Sequence, residues 1–278
     1  MRETIHRLIQ LQELSLLRDE QRSLKGAKAD TASLDASIKE LEDSLPEKAK
    51  AFQIRLSKKD HIVMSPVNDG RCSMCGMSIA ISQVQAVKLC KDLVPCPSCG
   101  RILYDPDGAK WVAARPKRSS GERKVGIARF SQPELMVTPL KATTPRAAIE
   151  ELAATMQTAK LVDDSAKLVE AAMAREEMLG TGIGHGLAFP HVRGIEGGGL
   201  SLAMGVSAKG IRWEGSDSLV HFVFFSTIPT AVSVFYLRLL AGLVDSYTKD
   251  TNRKAALEAK TPELLWKALV KATRFSVK

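Results

Sequence analysis

The stretch Ile183-Gly184-His185-Gly186-Leu187-Ala188-Phe189-Pro190-His191 begins eight positions after Arg175 of the run Arg175-Glu176-Glu177 and delivers one histidine to a backbone-rich turn. The short apolar run 187–189 predicts a buried strand, and Pro190, which lacks the N–H that a ladder needs, stops it. His191 is therefore expected at the exposed end of that strand. Gly182, Gly184 and Gly186 let backbone amides come close to a bound anion, and Arg175 could pair with its oxygens. Imidazole titrates near neutrality, so a neutral ring nitrogen can attack phosphorus at physiological pH. The arrangement suits a phosphoryl acceptor. The plainer reading is a satisfied structural histidine at a strand end.

Outward from this stretch, helices and strands alternate. Thr144-Pro145 is an N-cap followed by a proline at the first helical position, and Ile149, Leu152, Ala153 and Met156 form one apolar face. A second helix is predicted over 164–178. Strands follow near 187–190, 200–207 and 219–226, then helices over 231–247, 251–259 and 262–273, the last opened by Thr261-Pro262. Strands mixed with helices over this length imply an α/β domain whose sheet is covered on both faces. His221, inside an apolar strand, reads as structural.

Arg175, Glu176, Glu177, Thr181, Gly182, Ile183, Gly184, Ala188, Pro190 and His191 together resemble the EIIA domains of the bacterial phosphotransferase system, of the fructose/mannitol type that includes the nitrogen-regulatory proteins. The resemblance covers roughly residues 128–274. It implies an α/β/α sandwich with a mixed sheet and a phosphoryl group accepted on His191. It further implies that Arg175 neutralises the phosphoryl oxygens, that Thr181 and the amides near Gly182 and Gly184 donate to them, and that a phosphocarrier protein is the donor. Three positions depart from the family pattern. Phe189 and Val192 stand where smaller residues are usual and could crowd the phosphoryl pocket. In the helix after the fourth strand, Tyr236-Leu237-Arg238-Leu239-Leu240-Ala241 carries tyrosine where relatives carry a second histidine, and tyrosine supplies a hydrogen bond but no imidazolium charge. His185 is near enough in sequence to take that histidine's place. The alternative to a phosphoryl-transfer protein is an EIIA-like module that only senses or docks, which Tyr236 favours.

The second informative pattern is Cys72-Ser73-Met74-Cys75, then twenty residues, then Cys96-Pro97-Ser98-Cys99. Two Cys-x-x-Cys knuckles turn four thiolates toward one point, and Zn2+ accepts four such ligands tetrahedrally, in a closed site with no open position for a substrate. One structural zinc per chain is expected on Cys72, Cys75, Cys96 and Cys99, while Cys90 reads as a small buried hydrophobe. Ahead of the knuckles, residues 2–58 read as helix. Leu17, Leu24, Thr31, Ile38 and Leu45 recur every seven residues with Ala27, Leu34 and Leu41 interleaved, which is a coiled-coil seam. Pro46 should kink or split it and Gly26 weaken it. A dimer is the first expectation, a hairpin folded on itself the alternative. This helix joined to the Cys-x-x-Cys-Gly runs resembles a bacterial family that couples a coiled coil to a four-cysteine zinc ribbon and is thought to bind nucleic acid or protein partners.

The chain of 278 residues, 45% hydrophobic, exceeds one ordinary domain. The expected division is a helical coiled coil at 1–60, the ribbon at 61–104, a flexible basic linker at 105–130 and the EIIA-like domain at 131–278. The linker holds 7 basic against 3 acidic side chains, and Lys117, Arg118, Arg123 and Lys124 suit nucleic-acid phosphates, with a protein of the transcription machinery as the other partner expected for ribbon and linker. No apolar run approaches membrane-spanning length and the first residues carry no signal segment, so a cytoplasmic protein without membrane insertion is expected.

Overall fold

The computed structural model describes residues 1–25, 30–58, 61–106, 124–195, 199–229 and 232–277. The chain divides into two compact units, Met1–Lys110 and Trp111–Lys278.

In the first unit the predicted continuous helix is three: α1 (Arg2–Lys25), α2 (Ala32–Asp43) and α3 (Glu47–Ser57). Pro46 is the N-cap of α3 with ψ 147°, so it ends one helix and opens the next. The seam residues Leu17, Leu24, Ile38 and Leu45 are buried within the one chain. Ile38 and Leu45 share a core with Ile5, Leu8, Leu11, Val63 and Ile102, so the helices fold back onto each other and onto the ribbon. The seven-residue repeat is real, but a short antiparallel helix hairpin uses the same spacing as a two-chain coiled coil. The residues expected to seek a second copy are thus already covered. Gly26 and Ala27 lie outside the described residues.

The ribbon is a four-stranded sheet of order β2-β1-β4-β3, made from β1 (Met64–Asn68), β2 (Arg71–Cys72), β3 (Val94–Pro95) and β4 (Ile102–Tyr104), with α4 (Ile81–Leu89) between the two knuckles. β1 and β4 pair in parallel and each holds a short antiparallel partner. Gln12 of α1 accepts hydrogen bonds from Val63 N (2.8 Å) and Met64 N (2.7 Å), which pins the first strand to the helices. Cys90 caps α4 in the left-handed region (φ 49°) with its thiol directed to the Val87 carbonyl, and is only partly buried.

The second unit is the mixed α/β domain. Its six-stranded sheet runs β5-β9-β10-β7-β6, from β5 (Met136–Val137), β6 (Gly182–Ile183), β7 (Leu187–Ala188), β9 (Ser201–Ile211) and β10 (Val220–Ile228); β8 (His191–Arg193) also pairs with β10. β9 and β10 are antiparallel, as are β6 and β7, whereas β5 runs parallel to β9 and β7 and β8 run parallel to β10. The helices α5 (Pro145–Thr158) and α6 (Ser165–Met178) pack together against this sheet, and α7 (Ser233–Tyr247), α8 (Asp250–Glu258) and α9 (Pro262–Thr273) follow it. Thr144 and Thr261 cap α5 and α9 as their sequences require. Along β10, Phe222 and Phe224 meet Tyr247 of α7 while Val223 and Phe225 point the other way, and all four are buried, so both faces are covered.

Most of the basic linker, 107–123, lies outside the described residues. Its end is not linker in structure: Ile127 and Phe130 are buried, and Phe130 O accepts from Leu202 N at 2.8 Å, which adds these residues to the α/β core. Among the described residues no helix is long and apolar enough to cross a membrane.

Candidate functional site

His191 lies where Pro190 breaks one strand and another begins. β7 stops at Ala188, opposite Val223; the chain then resumes pairing as β8, with His191 opposite Ser226. Ser226 N donates to Pro190 O at 3.1 Å, so the proline costs one ladder bond and not the strand. This corrects the expectation of an exposed strand end, because His191 is 1% exposed. Its Nδ1 lies 3.1 Å from Phe189 O. A carbonyl only accepts, so Nδ1 carries a proton, and of the two neutral tautomers this is the one with its lone pair on Nε2.

Period-two alternation puts Phe189, His191 and Arg193 on one face, toward α7. The His191 and Tyr236 rings are 5.3 Å apart at 37°, and the Arg193 guanidinium carbon stands 5.5 Å from the Tyr236 centroid. Imidazole and guanidinium thus flank one buried phenol. Tyr236 therefore stands beside His191 in the structure. Arg193 was passed over, although its position two residues beyond His191 in a strand was a sufficient signal. Phe189 does not crowd the site: its ring stacks on Phe224 at 5.0 Å and 11° and belongs to the core.

The other predicted residues are engaged elsewhere. Arg175 Nη1 donates to Leu179 O at 2.8 Å, closing the end of α6. Thr181 is fully buried; its N–H donates to Glu176 Oε2 at 3.0 Å and its hydroxyl to Glu176 Oε1. Gly182 N donates to Glu214 O at 3.1 Å, and a Cβ there would lie 2.6 Å from that same oxygen. This glycine serves a close backbone approach, not an anion cradle. His185 is exposed, with φ 65°, just before β7. Leu187 and His191 pair with Phe222 and Ser226, four residues apart on β10. At about 3.3 Å per residue that spacing is roughly 13 Å, too far for His185 to replace a second histidine. His221 Nδ1 donates to Ser207 O at 2.8 Å, a structural role.

In the ribbon, Cys72, Cys75, Cys96 and Cys99 bring their sulfurs within 4.8 Å of one another. The Cys72–Cys99 and Cys75–Cys96 pairs are 3.8 and 3.6 Å apart. A tetrahedron with zinc about 2.3 Å from each sulfur has edges of about 3.8 Å, while a disulfide would need about 2.05 Å. Gly76 (φ 73°) and Gly100 (φ 74°) follow the knuckles in the left-handed region, and their amides close each turn onto the carbonyls of Cys72 and Cys96. With protein groups alone, burial pushes the Cys72 thiol up and, with the charge of Cys72 beside it, Cys99 up to about 12. At Cys75 burial also acts upward, but the Met77 amide and the neighbouring thiols outweigh it and hold the group at about 7. Four sulfurs this close cannot all be thiolates without a cation among them, so the donor set fits one structural Zn2+.

In this chain a four-thiol zinc-ribbon site is thus followed by a mixed-sheet α/β domain with a buried histidine at a broken parallel strand. Residues 129–272 match the family described as phosphoenolpyruvate-dependent sugar phosphotransferase system, EIIA 2, and the chain belongs to that family. Residues 71–103 match the C4-type zinc ribbon domain. The chain is 28% identical over 118 residues to the PTS system fructose-specific EIIABC component of Bacillus subtilis (strain 168), covering 42% of this chain but only 19% of that protein. It is 29% identical over 121 residues to the PTS system fructose-specific EIIA component of Haloferax volcanii, covering 43% of this chain and 79% of that one. Among solved structures, the nitrogen regulatory protein IIA-Ntr from Neisseria meningitidis is similar with a TM-score of 0.46 and 20% identity, over 51% of this chain and 97% of that one.

Proposed function

We propose that the α/β unit accepts and passes on a phosphoryl group at His191 Nε2, with a phosphocarrier protein of the phosphotransferase system as donor. The observation that carries this reading is the bond from His191 Nδ1 to Phe189 O, which leaves the lone pair on Nε2. Phosphorus bonds to Nε2 as its bond to the donor's imidazole nitrogen breaks, and that nitrogen keeps the electron pair. The product on this chain is a phosphoimidazolium that keeps its Nδ1 proton, and the donor ring, which carries a proton on its other nitrogen throughout, leaves as a neutral imidazole. Orientation and charge stabilisation supply the catalysis. Arg193 supplies positive charge beside the site, and Tyr236 holds guanidinium and imidazole on one surface. Arg175 and Thr181 support the site through the turn that follows α6.

Incubation with phosphoenolpyruvate and the general carriers of the system should add one acid-labile phosphate, lost in His191→Ala and reduced in Arg175→Ala. A second reading, a docking or sensing module without transfer, is favoured by the near-complete burial of His191 under Tyr236. It replaces the first if wild type and Tyr236→His both stay unlabelled while a control EIIA is labelled. The ribbon with the basic stretch 105–130 is proposed as the partner-binding half, for nucleic acid or a protein of the transcription machinery. Retention on nucleic acid that weakens steeply with salt tests it.

A further inference from the structure

Glu176 is a buried carboxylate that the transfer scheme does not use. It is 6% exposed and accepts three hydrogen bonds: from Thr181 N, from the Thr181 hydroxyl and from Trp213 Nε1 at 2.9 Å. Trp213 is itself 2% exposed and lies just past β9. Burying a carboxylate is costly unless its oxygens are satisfied, and here donors from two separate segments satisfy them. The bonds continue beyond the carboxylate. Thr181 O accepts from Phe189 N at 3.2 Å, and Phe189 O faces His191 Nδ1 at 3.1 Å.

We propose that Glu176, held by Trp213, is a positioning residue for His191: it sets the Thr181 peptide, Thr181 sets residue 189, and the Phe189 carbonyl sets which imidazole nitrogen carries the proton. This rests on His191 being the phosphoryl acceptor. The chain of bonds has a chemical reason. An imidazole has two tautomers, and only the one protonated on Nδ1 presents its lone pair at Nε2. The carbonyl that selects this tautomer sits between β7 and Pro190, where the ladder is interrupted and the strand alone does not hold the backbone in place. Thr181 supplies the missing anchor from the neighbouring chain segment, and Glu176 keeps Thr181 there. The close approach of Gly182 to the Glu214 carbonyl brings the same turn against the residues beside Trp213. An acceptor, not a charge, is what the site requires. A carboxamide can keep its oxygen on Thr181 N and Trp213 Nε1 and turn its nitrogen to the Thr181 hydroxyl, which then accepts.

The test uses the full chain and two readouts, the nitrogen NMR shifts of His191 in the unmodified protein and the single-turnover rate of phosphorylation by the phosphorylated general carrier. Glu176→Ala should mix the two tautomers and lower the rate about tenfold or more, with the half-saturating carrier concentration unchanged. Glu176→Gln should restore the Nδ1-protonated pattern and most of the rate. A folded Glu176→Ala with wild-type shifts and rate overturns the proposal, as does a Gln variant as impaired as Ala. If Glu176→Ala does not fold, Trp213→Phe and Thr181→Val are measured in its place. A smaller change in the same direction supports the proposal, and wild-type behaviour in both overturns it. If wild type accepts no phosphate but the shifts move as stated, the acceptor reading fails and the positioning role stands.

Discussion

Replacing Arg193 with Gln removes the charge and shortens the side chain by two atoms while keeping a planar polar end, so comparison with Arg193→Lys, which keeps the charge, is what separates electrostatics from stacking on Tyr236. Residues two apart on a strand stand about 6.6 Å from each other. A unit charge pair at that distance interacts by about 2.5 kcal/mol at an effective dielectric of about 20. The guanidinium is half-buried against Tyr236 and partly screened by solvent, so about half of that, about 1.3 kcal/mol, should remain in the transition state. This corresponds to about a tenfold slower transfer to His191. The assay is rapid-quench phosphorylation by saturating phosphorylated carrier, repeated at low and high salt. Arg193→Gln should be slowed about tenfold and Arg193→Lys by less, since lysine keeps the charge but stacks less well on the phenol. Equal rates for wild type and Arg193→Gln, or equal losses for Lys and Gln, would show that this cation does not act on the phosphoryl group.

Tyr236→His should accelerate labelling of His191, read as the time course of acid-labile phosphate, because a second imidazole can carry charge where the phenol cannot. Protein purified under reducing, chelator-free conditions should contain one zinc per chain; less than about half an equivalent by elemental analysis contradicts the four-thiolate site, and strong chelation should unfold the ribbon. Leu24→Glu combined with Leu41→Glu should lower helicity and thermal stability with the mass in solution unchanged, since Leu24 is 5% exposed and Leu41 packs on the core of the same chain. A fall in mass with the helices intact would restore the coiled-coil dimer. Asp35 joins α2 to Arg18 and Arg22 of α1, and its hydrogen bond with Thr31, then the two arginines, hold its carboxyl below the usual range. A depressed carboxylate stabilises the fold above its unfolded pKa and loses that contribution as pH falls through the folded value. Asp35→Asn should therefore weaken the helical unit at neutral pH while leaving its stability below the ordinary carboxylate range nearly unchanged, measured by circular dichroism melts across pH.

Local pattern was enough for much of this protein. Two Cys-x-x-Cys runs with their trailing glycines specify a four-sulfur site whatever surrounds it, because a tetrahedral cation needs only the knuckle turns and the loop between them. The caps Thr144 and Thr261, the apolar face of α5 and the two long strands were legible for the same reason, each being a statement about residues close in sequence. The segment around His191 carries its family in the order of its residues. Local pattern fails where a residue's partner is remote in sequence. The heptad run is the same for a chain folding back as for two chains meeting, and only the burial of Ile38 and Leu45 against Val63 and Ile102 makes it a hairpin bundle. Pro190 reads as a stop, yet Ser226 of a distant strand restores the pairing and buries His191. The resemblance implies that Arg175 and Thr181 are ligands, and only the packing shows that Arg175 Nη1 also holds Leu179 O and that Thr181 is bonded to Glu176. The cation beside the imidazole is Arg193, placed there by a parallel strand pair and a helix more than 40 residues later that carries Tyr236. Sequence order determines which groups exist and how near neighbours can fold; only the packing of distant segments settles which of them are already satisfied and which remain to do chemistry.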